Sequence, residues 1–430
     1  MAEDKKIPTG RIGRLARLAV AGVRTGASVV LDRDGSATAR AAAEALGNLR
    51  GVAAKVGQMM SYVDGMAPAA HAQHYESAMK VLRAAAPQSP FDDVKRVLEE
   101  DLRQPLDRAF AEFDRQPLAS ASIGQVHRAR LPNGLEVAVK VQHPGVAQAM
   151  EADLASTGVL EVLAGAMGGK RVNSAGMFEE LRTRLREELD YHREANHQTR
   201  FAAIHQGDAR VVVPAVHHSH SAARVLTSTF VRGVGFEEAC GAPLEDRQAW
   251  ARTLWRYVFR GNLVHGIFNA DPHPGNYLFH DDGRVTFLDF GCVQPISPAR
   301  VRLSRMMHRA GGARDESAFA PLARDYAGTR PGRYDVMATQ FIRLCFEPVF
   351  GSPFHITRDY SGRLFTTLTG MANASRTMAD HEVTPMPDGV LFLNRMNFGF
   401  YSVLARLNVV VDYAAEDRTF LPGDDSDLGG

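Results

Sequence analysis

The sequence predicts an α+β chain of two lobes, the first rich in strands and the second mainly helical, behind a helical N-terminal extension. Three observations point to this arrangement. Two alternating runs, GQVHRARL and LEVAVKV, flank the turn dipeptide Asn133-Gly134, a strong hairpin signal. A second β region over 209–231 has HHSHS as its expected turn, and the chain beyond it is mostly helical. The 430 residues, 45% of them hydrophobic, suffice for a large core divided in two.

Taken in order, residues 37–63 are rich in Ala, Leu and Met at helical spacing, with Ser36 as N-cap. Pro68, Pro87 and Pro90 punctuate the chain before an amphipathic helix over 91–102, and the hairpin follows. Residues 146–166 and 174–202 read as helices, the latter containing EELDYHREAN. GRVTFLDFG (283–291) is a strand running into a loop. The apolar stretch 390–411 contains Arg395 and Arg406 and reads as a core helix, not a membrane span. These readings divide the chain into an extension (1–88), a first lobe (89–231) and a helical lobe (232–430).

Net charge is +1, so no global field points to nucleic acid. Cys240, Cys292 and Cys345 are scattered, which favours a reducing cytoplasm over a disulfide framework or zinc site. The N-terminus shows no apolar signal segment. Residues 10–24 place Arg11, Arg14 and Arg17 beside apolar positions. This pattern suits a helix lying on a membrane surface, and equally one docked on the chain's own lobe.

The chemistry-bearing residues fall in a fixed order. VAVK ends at Lys140 on the second hairpin strand, the pattern of a lysine that contacts nucleotide phosphates and pairs with a helical Glu. Alone it also describes any solvent-facing Lys. Glu194, 54 residues later, is the expected partner. Asp190 and Glu194 are expected to share one helix face, with Glu188 on an adjoining side. FNADPHPGN (268–276) then places Asn276 five residues after Asp271, and DFG supplies Asp289. That is the spacing of a phosphoryl-transfer loop: Asp271 orients a nucleophile while Asn276 and Asp289 offer oxygen ligands to Mg²⁺. A glycine-rich phosphate loop is missing. ASASIGQVH (119–127) stands in its place, with Gly124 its one glycine and Ser120 and Ser122 as hydrogen-bonding substitutes. GAMGGKR (165–171) lacks P-loop spacing. The three histidines of HHSHS read as a solvated turn, and Cys292 as a small packed residue.

Together, KVGQ (55–58), PLASASIGQVH (117–127), ELDYHREAN (188–196) and ADPHPGN with DFG resemble the UbiB/AarF (ADCK-type) family of atypical protein-kinase-like proteins over roughly residues 7–410. The resemblance implies a bilobal protein-kinase-like fold with a helical N-terminal extension. It implies Mg-dependent ATP or ADP binding, with Ala119, Ser120, Ala121, Ser122 and Lys140 at the nucleotide and Asn276 and Asp289 at the metal. Lys140 and Glu194 match the family's ion pair and Asp271 its catalytic residue. Lys55 and Gln58 match a motif covering the groove for a protein substrate, and Glu188 and Asp190 match the motif that its Lys contacts. It also implies a role in isoprenoid-quinone or lipid metabolism, with a lipid or quinone precursor as partner. Two positions depart from the pattern: Asn269 stands where His is usual, and Thr229 where a hinge Glu is usual. The C-terminal membrane hairpin of many relatives has no counterpart.

An ATPase or small-molecule kinase is therefore the expected activity. A nucleotide-binding scaffold is the alternative, although Lys140, Glu194, Asp271, Asn276 and Asp289 are all present. A conventional protein kinase fits worst, because no APE follows DFG and the chain enters a predicted helix soon after it.

Overall fold

The computed structural model describes residues 88–121, 123–154, 183, 186–375, 377–379, 382–383 and 390–421. Lys55, Gln58, Ser122, the basic stretch 10–24, the predicted helix 37–63 and residues 165–171 lie outside them. The chain divides into two compact units, and the described part of the first comprises 88–121, 123–154, 183, 186–195 and 216–230.

In the first unit, helix α1 (Phe91–Leu102) has the predicted bounds. Asp92 and Asp93 in its first turn favour the helix dipole, and Val94, Val97 and Leu98 form its buried stripe. Strands β1 (Glu112–Phe113), β2 (Ala119–Ser120), β3 (Gly124–Arg130) and β4 (Glu136–Gln142) follow. β3 and β4 pair antiparallel from Gly124↔Gln142 to Arg130↔Glu136. Gly134 turns the hairpin at φ 86°, where a Cβ would be strained. Helix α2 (Val146–Leu154) and helix α3 (Tyr191–Ile204) come next, α3 passing into the second unit after Ala195; strand β5 (Val211–Val212) belongs to the second unit, and strand β6 (Val225–Thr229) returns to the first. The sheet runs β1-β3-β4-β6, with β2 added on β3. Val137, Val139 and Val141 of β4 pack with the apolar stripe of α1. Alternation along the strand then sends Lys140 to the opposite face.

One expectation is corrected here. Glu188, Asp190 and Glu194 do not share a helix: Glu188 and Leu189 form a turn, and α3 begins at Tyr191. The Asp190 carboxylate accepts the His192 N–H at 3.0 Å, an N-cap bond that competes with helical backbone pairing and starts a new helix. The predicted β region 209–231 is also divided. β6 joins the first sheet, whereas β5 lies in the second unit and pairs in parallel with another strand of that unit.

The second unit comprises 196–215 and, among the described residues, 231–421. Helix α4 (Leu244–Val264) leads to β7 (Ile267–Asn269), β8 (Tyr277–Phe279), β9 (Val285–Phe287) and β10 (Val293–Pro295). β9 lies between β5 and β8, and β10 pairs with β7. Helices α5 (Pro298–Gly312), α6 (Glu316–Ala327), α7 (Arg333–Cys345), α8 (Arg358–Ser375), α9 (Val390–Leu407) and α10 (Tyr413–Arg418) follow, along with shorter elements. Buried Asp417 ties α10 down, accepting the Trp255 indole N–H at 2.7 Å and bonding the His308 ring at 2.7 Å. Among the described residues, no helix is long and apolar enough to cross a membrane.

His205 in this core is expected to make stability pH-dependent. It is 3% exposed, stacks on Tyr257 at 4.9 Å, and neither ring nitrogen has a hydrogen-bond partner. Burial, with the Arg260 charge adding, pushes its pKa from 6.5 down to about 3. The unfolded chain therefore takes up a proton below pH 6.5 that the folded chain refuses, so stability falls as pH drops from 6.5 towards 3. At pH 5 this costs about 2 kcal/mol. His205→Phe keeps the stacking and should remove that loss, as read from denaturant melts at pH 7 and pH 5. An unchanged pH difference would reject the assignment.

Candidate functional site

The site residues of the first unit are set by the β4 alternation and by the start of α3. Lys140 Nζ donates to both Glu194 carboxylate oxygens, at 2.7 and 2.9 Å. Glu194 is 4% exposed and Lys140 20%, so the charges are largely withdrawn from water and fixed on each other. The Tyr191 ring lies 5.0 Å from the ammonium and supplies a cation–π contact. Gly124 is dictated by close approach: a Cβ there would lie 2.5 Å from the Val141 carbonyl oxygen and 2.7 Å from the Tyr191 hydroxyl. Of the alanine-rich segment, Ala119 and Ser120 form β2, and Ala121 N–H donates to Gly124 O at 2.8 Å. Glu188 and Asp190, both half-buried, lie just before α3, where the Gln142 side chain donates to Leu189 O at 2.7 Å.

In the second unit, Asp271 follows β7, Asn276 closes the short 3₁₀ turn Pro274–Asn276, and Asp289 follows β9. Hydrogen bonds knit these segments together. The Asn276 amide nitrogen donates to Asp271 O at 3.2 Å, and Leu288 N–H donates to Asn276 O at 3.0 Å. Asn269 bridges the two acids: its amide oxygen accepts Asp271 N–H at 3.0 Å, and its amide nitrogen donates to Asp289 O. The Asp289 carboxylate accepts Gly291 N–H at 2.9 Å, which fixes its orientation. Beneath them, Tyr257 stacks on Phe287 at 3.5 Å. Burial pushes the Tyr257 phenol far up, with the neighbouring Tyr277 and Asp289 adding. Burial also raises Tyr277, and the Asp271 charge adds to it. Both phenols stay neutral at physiological pH.

The donor set fits Mg²⁺. It consists of hard oxygens, a carboxylate from Asp289 and an amide oxygen from Asn276 whose nitrogen is committed to Asp271. Among the described residues no group of three or more His, Cys, Asp or Glu could hold a metal ion. A one-carboxylate set suits an ion that keeps waters and phosphate oxygens, not one enclosed by protein.

In the sequence Asn269 stands out only as an unusual residue two before Asp271; the pairing of its strand with the segment after DFG is a tertiary feature. Tyr257 carries no signal in the sequence, being one aromatic among several on an amphipathic helix.

A family model described as ABC1 atypical kinase-like domain matches residues 81–319. The chain is similar to AarF domain-containing protein kinase 1 of Xenopus tropicalis, 32% identical over 259 residues, covering 58% of this chain and 48% of that protein. It is similar to the mitochondrial atypical kinase COQ8B of Danio rerio, 26% identical over 428 residues, covering 94% of this chain and 68% of that one. The chain spans less than half the length of several curated relatives that it matches. A solved structure, the Rv3197–erythromycin complex of Mycobacterium tuberculosis, aligns over 96% of this chain and 99% of its own with TM-score 0.60 and 28% identity.

Proposed function

Because the chain belongs to the ABC1 atypical kinase-like family, we propose that it binds ATP or ADP with Mg²⁺. In this reading it hydrolyses ATP or phosphorylates a small molecule in isoprenoid-quinone or lipid metabolism. The observation that carries the reading is the pair of oxygen donors, Asn276 and Asp289, hydrogen-bonded through Asn269 and Asp271 into one rigid arrangement. Lys140, oriented by Glu194, would contact the α- and β-phosphates. Ala119, Ser120 and Ala121 line their path. Asp271 orients the attacking water or hydroxyl. Asn276 and Asp289 would hold Mg²⁺, which when bound would supply charge neutralisation on the phosphate oxygens.

The test is Mg-dependent ADP release from purified protein. It is run alone, with quinone-precursor analogues, with anionic liposomes that would engage residues 10–24, and with a macrolide of the kind bound by the Mycobacterium chain. Release that rises with a quinone analogue or liposomes supports the metabolic reading. Nucleotide binding without release under any condition leaves a nucleotide-binding scaffold. No binding at all rejects the proposal.

A further inference from the structure

Apart from the ion pair, the first unit contains a buried polar chain that neither Lys140 nor Glu194 explains. Ser89, Gln125, His127 and His143 are 7%, 1%, 0% and 2% exposed. Ser89 N–H donates to Gln125 Oε1 at 2.8 Å, and Gln125 Nε2 meets His127 Nε2 at 2.8 Å. The other His127 nitrogen reaches Asp114 O at 2.7 Å. Ser89 Oγ lies 2.9 Å from His143 Nδ1, and His143 Nε2 lies 3.0 Å from Ala121 O.

The proton positions follow from the partners. A carbonyl oxygen only accepts, so His143 Nε2 carries its hydrogen towards Ala121. In the neutral imidazole Nδ1 is then the acceptor, and Ser89 Oγ–H is its donor. By the same rule His127 donates from Nδ1 and accepts from Gln125 at Nε2. Ser89 thus selects the tautomer that lets His143 hold Ala121.

His143 holds Ala121 and Ile123 at once. Its side chain takes Ala121 O, and its backbone N–H takes Ile123 O at 2.9 Å. The Gly124 carbonyl is taken by Ala121 N–H at 2.8 Å. The carbonyls of Ala121, Ile123 and Gly124 are therefore all committed inside the protein. In a trans peptide the C=O and the following N–H point opposite ways, so drawing Ile123 O towards His143 turns Gly124 N–H away from it. Phosphate-binding turns work by offering N–H groups and withdrawing C=O dipoles. A glycine-rich turn reaches such a state through backbone freedom; Ala and Ser lack that freedom, and an external clamp replaces it.

We propose that His143 is a positioning residue for nucleotide phosphates. It keeps the Ala121 and Ile123 carbonyls from repelling them, and Ser89 sets the tautomer in which it does so. This inference rests on the nucleotide reading above.

The test compares wild type, Lys140→Ala, His143→Phe, His143→Gln and Ser89→Ala by calorimetric titration with Mg-ATP and with adenosine, which has no phosphates. His143→Phe should weaken Mg-ATP about tenfold while changing adenosine by less than about twofold. His143→Gln retains an N–H donor where Nε2 stood and should recover to within about threefold of wild type. Ser89→Ala should weaken Mg-ATP by about threefold. If His143→Phe weakens ATP and adenosine alike, the residue is merely structural and the proposal fails. It also fails if Mg-ATP affinity is unchanged in His143→Phe while Lys140→Ala weakens it. If wild type binds no nucleotide, the functional reading itself falls and takes this one with it. Should His143→Phe not fold, loss in Ser89→Ala with retention in His143→Gln supports the clamp, and wild-type Mg-ATP affinity in Ser89→Ala overturns it.

Discussion

Asp289→Asn is expected to abolish the Mg²⁺-dependent part of nucleotide binding, a loss of at least about a hundredfold. The substitution keeps the shape and the Oδ1 that accepts the Gly291 N–H, so the loop stays in place. It removes the one carboxylate charge that the proposed Mg²⁺ site contributes. Mutating an outer-shell partner of a metal ligand typically costs about 10–100-fold, and a charged ligand costs at least as much. Ligand present at about 100 times its Kd should stabilise the wild type by about 2.7 kcal/mol, and no more than about 0.4 kcal/mol of that should remain in the variant. Thermal melts with ATP alone, Mg²⁺ alone and both together read this directly. A variant keeping the wild-type shift only when both are present would remove Asp289 from the metal site.

Lys140→Ala should lower stability and nucleotide affinity together, whereas Glu194→Ala should be milder in stability. The asymmetry follows from burial. Glu194 is 4% exposed, and losing Lys140 strips a buried carboxylate of two charge-assisted hydrogen bonds. Breaking such a pair from one side costs about 3–5 kcal/mol. Lys140, 20% exposed after burying its stem, can turn its ammonium towards water when Glu194 is removed. Nucleotide affinity should fall at least about tenfold in Lys140→Ala, because a positive contact to the phosphates is lost. The double variant Lys140→Ala/Glu194→Ala should regain much of the stability and none of the affinity. Equal destabilisation by both single variants, or affinity restored in the double variant, would contradict this account.

What the sequence determined by itself was whatever is written in local spacing. Alternation over LEVAVKV and the Asn133-Gly134 turn fixed the β3–β4 hairpin, and with it the face on which Lys140 stands. The spacing of Asp271 and Asn276, and DFG at the end of a strand pattern, placed the oxygen donors on loops. The bounds of α1 followed from an apolar stripe with acids in its first turn. The tertiary structure decided the pairings between distant residues. Helical propensity runs through EELDYHREAN, yet the Asp190 carboxylate caps His192 and divides it, because a short side-chain bond competes with the helix backbone. Residues 209–231 have uniform β character, but β5 and β6 join different sheets, since β propensity reports suitability for a pleated surface and not which neighbour is paired. Asn269 bridging Asp271 and Asp289, and His143 joining Ser89 to Ala121, involve hydrogen bonds across 20, 54 and 22 positions. Such bonds have no period in the sequence. They form only where packing removes polar groups from water and leaves each of them to find a partner inside the protein.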